Sequence, residues 1–353
     1  MSQPNIIAKS QQSQLAPATR ILSIDALRGF DMFWIIGGAL LFPALDQIFQ
    51  SPITAWLSLQ SHHSDWDQPH LLDIIFPLFL FIVGIVLPIS IDRQRSQNLS
   101  LAKIHAHTAR RAIILIILGL LSKGLLLTFT LKFSVLSRIG FSYYIAALLV
   151  IHTTWRFQAI FTAALLTAAA LMMTLIPIHG STYINKDIAS TFPLIAECVR
   201  WVLSVPSVLF GVLAGHYLRT SHTGPRKTLT LALAGLLCII LSLAIERYIP
   251  RIFFLWTSSF VVYTAGISLM LMALFYWIID VKGCRKWSFF FTVIGMNSIL
   301  IYFISVSHII DFQKIADFLI LAAAHHCGLF KDLILTADML ACQVSIAIRQ
   351  NCS

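Results

Sequence analysis

The chain has 353 residues, of which 58% are hydrophobic and only 11% carry a charged side chain. Soluble globular domains have about a quarter charged residues, so this composition excludes that class and predicts an integral membrane protein. The formal charge of +10 is spread over short connectors between apolar segments, which indicates membrane topology and not a nucleic-acid-binding face. The six cysteines show no paired spacing and indicate neither a disulfide framework nor a metal site.

The first 20 residues are polar, rich in Gln and Ser, and contain no acid. They lack the apolar core and cleavage site of a secretory signal, so we expect the first span to be retained. We therefore predict a disordered cytoplasmic tail over 1–20 and a single transmembrane domain over 21–353.

Taking about 20 apolar residues as one bilayer crossing, we predict an all-α, polytopic transmembrane helix bundle of about ten spans. The last of these is the weakest. The predicted spans cover residues 23 to 45, 71 to 91, 110 to 130, 134 to 153, 156 to 178, 195 to 218, 228 to 246, 257 to 280, 288 to 308 and 332 to 348.

Basic residues are concentrated in alternate connectors, which predicts a cytoplasmic N-terminus by the positive-inside rule. The connectors assigned to the cytoplasm hold Arg93, Arg95, Lys103, Arg110, Arg111, Arg156, Arg219, Arg226, Lys227, Lys282, Arg285 and Lys286. No Lys or Arg occurs between Arg28 and Arg93. The loop before the second span is therefore expected on the outer face.

The first span contains three ionisable residues at successive i, i+3 spacings, Asp25, Arg28 and Asp31. Charges inside hydrocarbon cost roughly 3 kcal/mol each, so each needs a partner, water or a function. The spacing lets Arg28 pair with either acid along one helix face. Either this is a structural ion pair at the cytoplasmic end of the span, or Arg28 fixes a phosphate.

Histidines and acids cluster directly before the second span. Imidazole titrates near neutrality, so His63 is a candidate general base, and a neighbouring carboxylate would orient its other ring nitrogen. Exposed loop histidines without a role are the alternative. The cluster consists of His62, His63, His70, Asp65, Asp67 and Asp73.

A zinc site is a rival interpretation of this cluster, but the spacing matches no metal signature and no cysteine joins it, so we predict no metal. A further polar group lies in the ninth predicted span, at Asn297 and Ser298. Asn297 would hydrogen-bond either a substrate carbonyl or a neighbouring helix.

Several blocks, in order along most of the chain, resemble the membrane-bound heparan-α-glucosaminide N-acetyltransferases and their bacterial relatives. The first is SIDALRGFDMFWIIGG. The second has the pattern H-x-x-W-x-x-x-x-x-x-D-x-x-F-P, from His63 through Trp66 and Asp73 to Pro77, followed by LFLFIVG. The others are VLSRIG, FGVLAG, LWTSSFVVYTAG, FYWIIDVKG and GMNSILIY.

The resemblance implies transfer of an acetyl group from cytoplasmic acetyl-coenzyme A to the amine of a glucosamine-type sugar across the membrane. It places the family's active-site histidine on His63, which we expect to be catalytic together with Asp73. We assign cofactor binding to Arg28, Asn297 and Ser298, and acceptor binding to Trp66 and Asp67. The implied partners are acetyl-coenzyme A as co-substrate, an amino-sugar or saccharide acceptor and the lipid bilayer of a bacterial inner membrane, with homo-oligomer formation left open.

The chain departs from the family pattern at three places. Ser137 replaces the usual Gln before the arginine of the VLQRIG block, the connector after residue 178 is short, and residues 337–353 do not resemble the usual last span. Two alternatives therefore accompany the acetyltransferase hypothesis. One is a proton-coupled sugar transporter that uses the same in-span acids and histidines, and the other is an inactive relative.

Overall fold

The computed structural model describes residues 21–66, 68–122, 134–175, 177–178, 181–182 and 193–307. These ranges form a helical bundle with one two-residue antiparallel strand pair, β1 (Pro177–Ile178) and β2 (Ser181–Thr182). The helices are α1 Leu22–Ile36, α2 Leu41–Phe49, α3 Pro52–Gln60, α4 Leu71–Ser96, α5 Leu101–Ser122, α6 Val135–His152, α7 Trp155–Leu175, α8 Pro193–Leu218, α9 Gly224–Glu246, α10 Ser258–Phe275, α11 Phe289–Met296 and α12 Ser298–Ser307.

Seven helices, α4 to α10, are long and apolar enough to cross a membrane, with α10 continuing through a π-helical turn to Val281. Their outward faces are apolar: on α9, for example, Leu229, Leu233 and Leu237 are each more than half exposed. Large exposed aliphatic side chains on consecutive turns are typical of a lipid-facing helix. The prediction of a polytopic all-α membrane bundle is thus confirmed.

We predicted ten spans. Among the residues that the structure describes, fewer helices are long and apolar enough to cross a membrane. The first predicted span, 23 to 45, is bent by 57° at Gly37, between Leu22–Ile36 and Gly38–Phe49. The ninth, 288 to 308, is interrupted at Asn297 into α11 and α12, and its last residue lies outside the described residues. Within the described ranges, seven helices are long and apolar enough to cross a membrane, or up to eight if the bent pair is one span.

Hydropathy alone does not reveal either break because the residues around both are apolar. At Gly37 the backbone has φ 156°, a value that glycine tolerates and other residues rarely adopt. Helix α5 also begins nine residues before the predicted span 110 to 130, and its predicted end lies outside the described residues. The tail 1–20 and the span 332 to 348 lie outside them as well.

The central helices α4 and α8 approach so closely that only glycine fits at their crossing. A Cβ added at Gly84 would lie 2.0 Å from the carbonyl oxygen of Val208, and one at Gly211 would lie 1.9 Å from that of Phe81. Small residues at helix crossings are a common basis of packing in membranes, where apolar burial alone does not favour association. The crossing fixes α4, which carries Asp73 near its beginning.

Replacing Gly84 with valine should strongly destabilise the bundle because the new side chain meets backbone atoms, which cannot rotate away. Overpacking usually costs about 1–3 kcal/mol, and backbone contact places this variant at the upper end or prevents folding. Tryptophan fluorescence during thermal unfolding in detergent measures the effect. The matched control is Ala164→Val on the exposed face of α7, which should unfold like the wild type. Equal stability of the two variants would contradict the close crossing.

A second glycine pair holds α1 against α11. A Cβ at Gly29 would lie 1.6 Å from the carbonyl oxygen of Phe291, and one at Gly295 would lie 2.0 Å from that of Asp25. Because these two helices touch through backbone atoms, the side chains flanking the contact are brought to the same region. This contact places Arg28 of α1 near Ser298, the first residue of α12.

Candidate active site

His63 and Asp73 form a hydrogen-bonded pair at the start of α4. Nδ1 of His63 lies 2.6 Å from Oδ1 of Asp73, whose side chain is fully buried. The other carboxylate oxygen, Oδ2, accepts hydrogen bonds from the backbone N–H groups of Ser64 at 3.1 Å and His70 at 2.9 Å. Since an ionised carboxylate only accepts, the imidazole proton is assigned to Nδ1 and Nε2 is the proton acceptor.

The position of Asp73 follows from helix capping. His70 is the N-cap residue of α4 and Asp73 is the third helical residue, from which a carboxylate reaches back to the N-cap N–H group. A negative charge in the first turn also interacts favourably with the helix dipole. The carboxylate that caps the helix is therefore the one that orients His63, and the sequence had left Asp65, Asp67 and Asp73 as alternatives.

Hydrogen bonds of His62, His70 and Gln60 stabilise the loop that carries His63. Nδ1 of His70 lies 2.9 Å from the carbonyl oxygen of His62, and Nδ1 of His62 lies 3.0 Å from that of Ser58. Gln60 Oε1 accepts the N–H of Leu71 at 3.1 Å. His62 and His70 thus hold the loop, whereas His63 lines a cavity.

One face of the His63 ring stacks on Phe253, with centroids 4.9 Å apart and an interplanar angle of 6°. Phe253 lies in the loop between α9 and α10. Two hydrogen bonds stabilise this loop, because the hydroxyl groups of Thr257 and Ser259 donate to the carbonyl oxygen of Pro250 at 2.8 and 2.9 Å. Trp256 in the same loop is buried with φ 55°, a left-handed conformation that is uncommon for a bulky residue. The Trp-Thr-Ser-Ser block therefore positions the partner ring of His63.

A cavity of about 280 Å³ extends from His63 into the bundle and is otherwise mostly apolar. Side chains from α1, α4, α6 and α12 form its wall. They are Met32, Ile35, Leu72, Ile75, Phe76, Phe79, Val135, Leu136, Ile139 and Tyr302. We call this the His63 cavity.

A second, narrower cavity of about 40 Å³ lies deeper along the same helices and contains two guanidinium groups, those of Arg28 and Arg111. Arg111 lies over the ring of Tyr143 at 5.2 Å. Its wall consists of Arg28, Phe79, Val83, Val86, Leu87, Ser90, Arg111, Leu115, Ile139, Tyr143, Ser298 and Ile299. We call this the Arg28 cavity.

The two cavities share two wall residues, Phe79 and Ile139, and follow one another through the bundle. On α4 the wall runs from Leu72 in the His63 cavity to Ser90 in the Arg28 cavity. These residues are 18 positions apart in one helix, which corresponds to about 27 Å at 1.5 Å per residue. The hydrocarbon core of a bilayer is about 30 Å thick, so the two cavities together extend over most of a membrane crossing.

The helices α1 and α6 give the same order of wall residues. On α1, Ile35 and Met32 border the His63 cavity and Arg28 borders the other; on α6, Val135 precedes Ile139 and Tyr143 in the same sense. Three helices therefore line both cavities in the same order, and Phe79 and Ile139 border both.

The ion pair expected in the first span involves Asp25 and not Asp31. Arg28 Nη1 lies 3.6 Å from Asp25 Oδ1. Asp31 is fully buried, and neither of its carboxyl oxygens has a hydrogen-bond partner among the described residues. The i, i+3 spacing permitted both pairings, and only the three-dimensional packing of α1 distinguishes them.

The structure brings together Arg28 and Ser298, two of the three residues assigned to the cofactor, because both line the Arg28 cavity. Asn297, the third, is half-buried at the break between α11 and α12 and is outside the cavity wall. Trp66, assigned to the acceptor, lies near Phe254 with ring centroids 6.1 Å apart. Asp67 lies outside the described residues. Their functional roles stay predictions.

Within the part of the chain that the structure describes, no group of three or more His, Cys, Asp or Glu side chains has the arrangement of a metal site. The side chains of His62, His63, His70 and Asp73 are hydrogen-bonded to one another or to backbone atoms. The absence of a metal stays a prediction.

Comparison with protein-family models and with curated proteins finds no match to this chain. The geometry of its residues therefore carries the functional argument.

Sequence reasoning missed three residues of the site. Phe253 gives no signal because an apolar residue in an apolar chain carries no information about its partner. Arg111 had been assigned only to the topology of a basic connector, and Tyr143 had no assignment. A helical count along the predicted span would have placed Tyr143 four residues after Ile139, on the same face.

Under the acetyl transfer that the resemblance implies, replacing Asp73 with asparagine should lower activity by up to about 10⁴-fold, because the amide can donate to Nδ1 and so favour the wrong tautomer of a general-base imidazole. The amide retains the size of the side chain but neither the negative charge nor two acceptor oxygens. Asp65→Asn, in the exposed part of the same loop, is the matched control and should keep wild-type kcat. Similar activities of the two variants in a coenzyme A release assay would show that Asp73 only caps the helix.

Proposed function

We propose that the protein transfers an acetyl group from acetyl-coenzyme A, across the membrane, to the amine of a glucosamine-type sugar. The observation that carries this proposal is the pair of adjacent cavities along the bundle, with a candidate base in one and two arginines in the other. An enzyme whose two substrates lie on opposite sides of a bilayer needs adjacent sites for them, because the thioester and the amine must meet.

The Arg28 cavity has the groups that a nucleotide thioester requires. Coenzyme A carries phosphate groups, which guanidinium groups recognise through charge-assisted hydrogen bonds. Arg28 and Arg111 supply two such groups beside Ser298, and Asn297, outside the cavity wall, immediately precedes Ser298 at the helix break. The cavity continues toward Phe79, which also borders the His63 cavity.

The orientation follows the charge of the connectors. We place the N-terminus and the Arg28 cavity on the cytoplasmic side, where acetyl-coenzyme A is present, and His63 on the outer side. This proposal retains about ten spans in total and a bacterial inner membrane as the location. It also makes the acceptor an extracytoplasmic saccharide.

At His63 the chemistry is general base catalysis. A sugar ammonium has no lone pair, so its nitrogen must lose a proton before it attacks the thioester carbonyl. Nε2 of His63 takes that proton, and the buried Asp73 carboxylate stabilises the resulting imidazolium. The tetrahedral intermediate then expels the coenzyme A thiolate, which is protonated, and the amide product remains outside.

Direct attack by the amine and a transient acetyl-imidazole on His63 both use Nε2. Mass spectrometry of protein quenched after exposure to acetyl-coenzyme A without acceptor distinguishes these routes. A mass increase of one acetyl group on the peptide containing His63 indicates the covalent route.

The test of the proposal is transfer between separated compartments. Protein in sealed proteoliposomes receives radiolabelled acetyl-coenzyme A on one side and glucosamine on the other, neither of which crosses the lipid alone. We expect labelled N-acetylglucosamine only on the sugar side, and free coenzyme A only on the other. Absence of product with every amino sugar, in protein that is folded and monodisperse, would contradict the proposal and support an inactive relative.

Asp31 favours a second candidate function, a proton-coupled sugar transporter. Its carboxyl group is buried within α1 without a partner among the described residues, and ionisable groups in spans often mark proton pathways. Its discriminating result is accumulation of unmodified sugar in vesicles under a pH gradient, without consumption of acetyl-coenzyme A.

A further inference from the structure

Two arginines of neighbouring helices share one carboxylate close to the His63 cavity. Arg138 of α6 and Arg200 of α8 both donate through Nη2 to the carboxylate of Glu197, at 3.4 Å for Arg138. Trp201 Nε1 donates to the same carboxylate at 2.7 Å. We call Arg138, Glu197 and Arg200 the arginine cluster.

Aromatic rings join the arginine cluster to the cavity wall. The guanidinium of Arg138 lies 5.4 Å from the ring centre of Phe76 and 5.5 Å from that of Trp256. Phe76 lines the His63 cavity, as do Val135, Leu136 and Ile139, the residues around Arg138 on α6. Arg138 thus lies directly behind the wall of this cavity.

Arg200 approaches His63 from the loop side. Its guanidinium lies 4.9 Å from the ring centre of Phe254, and the other neighbour of that ring is Trp66. The preceding residue, Phe253, is the ring on which His63 stacks. Arg200 is therefore separated from His63 by two adjacent aromatic residues, and its side chain is 22% exposed, so solutes reach it.

The arginine cluster carries a net positive charge and has more hydrogen-bond donors than acceptors. Two guanidinium groups share a single carboxylate, which gives a net charge of +1. Each guanidinium has five N–H donors, yet Glu197 is the one hydrogen-bond acceptor that either arginine has among the described residues. The Glu197 carboxylate itself already accepts from three donors.

Among the described residues, the nearby charged pairs do not neutralise this excess. Asp73 is buried and committed to His63 and two backbone N–H groups. Arg251 in the adjacent loop is paired with Glu246 at 2.8 Å, so that pair is neutral. Charged donors in excess beside an exposed aromatic ring are the chemistry that binds an anionic saccharide, by charge-assisted bonds to the anion and stacking on the sugar.

We propose that Arg200, with the positive charge of Arg138 behind it, binds an anionic group, a carboxylate or a phosphate, on the saccharide that presents its amine to His63. The inference rests on the proposed acetyl transfer and narrows its acceptor from amino sugars in general to those with a negative charge near the amine. Glu197 holds the two guanidinium groups together against their mutual repulsion. Phe254 and Trp66 provide the surface beside them on which the sugar ring lies.

The test compares three acceptors, glucosamine, glucosamine 6-phosphate and muramic acid, whose lactyl group carries a carboxylate. Protein in nanodiscs of phosphatidylcholine is assayed for acetyl transfer and, by calorimetry without acetyl-coenzyme A, for binding. We expect at least one anionic acceptor to have a kcat/KM about tenfold or more above that of glucosamine, which corresponds to about 1.4 kcal/mol.

Arg200→Gln should lower kcat/KM for the preferred anionic acceptor about tenfold, to near that of glucosamine, because the charge-assisted bond to the anion is lost. Arg200→Lys should restore part of the preference, since lysine retains the charge without the planar donor pair. Arg251→Gln, which alters the loop arginine paired with Glu246, is the control and should keep the full preference.

The possible results of this test separate the anion site from the acetyl transfer on which it rests. Transfer to glucosamine without any preference for the charged acceptors overturns the anion site and leaves the acetyltransferase intact. Binding of a charged sugar that depends on Arg200, without transfer, supports the site and contradicts the acetyltransferase. If phosphatidylglycerol in the nanodisc displaces glucosamine 6-phosphate, the cluster holds a lipid headgroup and the acceptor assignment is overturned.

Discussion

His63→Ala should lower acetyl transfer to glucosamine by about 10²–10⁴-fold, the usual contribution of a general base. The reason is geometric: Nε2 is the proton acceptor of an imidazole that is oriented by Asp73 and stacked on Phe253 at the mouth of the cavity. Without the ring, the ammonium must lose its proton to water. The measurement is steady-state release of coenzyme A, with a fixed acceptor concentration above its KM.

The control for this variant is His107→Ala on the exposed face of α5, which removes an imidazole that lines neither cavity. We expect it to retain activity within about twofold, as surface substitutions away from a site usually do. Acetyl-coenzyme A binding should be unchanged in both variants because neither histidine lines the Arg28 cavity. Wild-type activity in His63→Ala would refute the proposed mechanism.

Ile139→Trp should block transfer while acetyl-coenzyme A still binds. Ile139 borders both cavities, and the 280 Å³ of the His63 cavity gives an indole ring space to occupy without displacing a helix. The ring would then stand between the thioester and His63. Misplacement of reacting groups by about 1 Å already costs about a hundredfold, so we expect a loss of at least that size in kcat.

Binding and catalysis must be measured separately for this variant. Calorimetry should give a dissociation constant for acetyl-coenzyme A within about threefold of wild type, which is a difference of under 1 kcal/mol. Leu148→Trp on the same helix, outside the wall of either cavity, is the matched control and should be fully active. Unchanged kcat in folded Ile139→Trp would show that the acetyl group does not pass this point.

The fold could be predicted to the level of a helical membrane bundle because span length and hydropathy are imposed by the bilayer itself. The long helices α4, α6, α8 and α10 begin and end within a few residues of their predicted bounds. The bend at Gly37 and the break at Asn297 could not be predicted from hydropathy. Both depend on how α1 and α11 pack, and neither interrupts the apolar composition. Hydropathy indicates which segments lie in lipid, but it does not indicate where a helix bends or breaks within the bilayer.

The candidate site, like the fold, could be predicted from the sequence only in part. The pairing of His63 with an acid was predictable because both residue types lie close in sequence, and the capping position selects Asp73. The shared cavity of Arg28 and Ser298 joins residues 270 positions apart, and the stacking of His63 on Phe253 joins residues 190 apart. Such contacts come from the close glycine crossings, whose partners a single sequence does not name.

Asp73 serves two structures with one carboxylate, the first turn of α4 and the imidazole of His63. Formation of that turn and assembly of the base are consequently a single cooperative event. When the turn frays, the N–H groups of Ser64 and His70 exchange with solvent and the imidazole loses its orientation at the same moment. The rate of amide exchange at these two positions therefore reports how much of the time the base is in place.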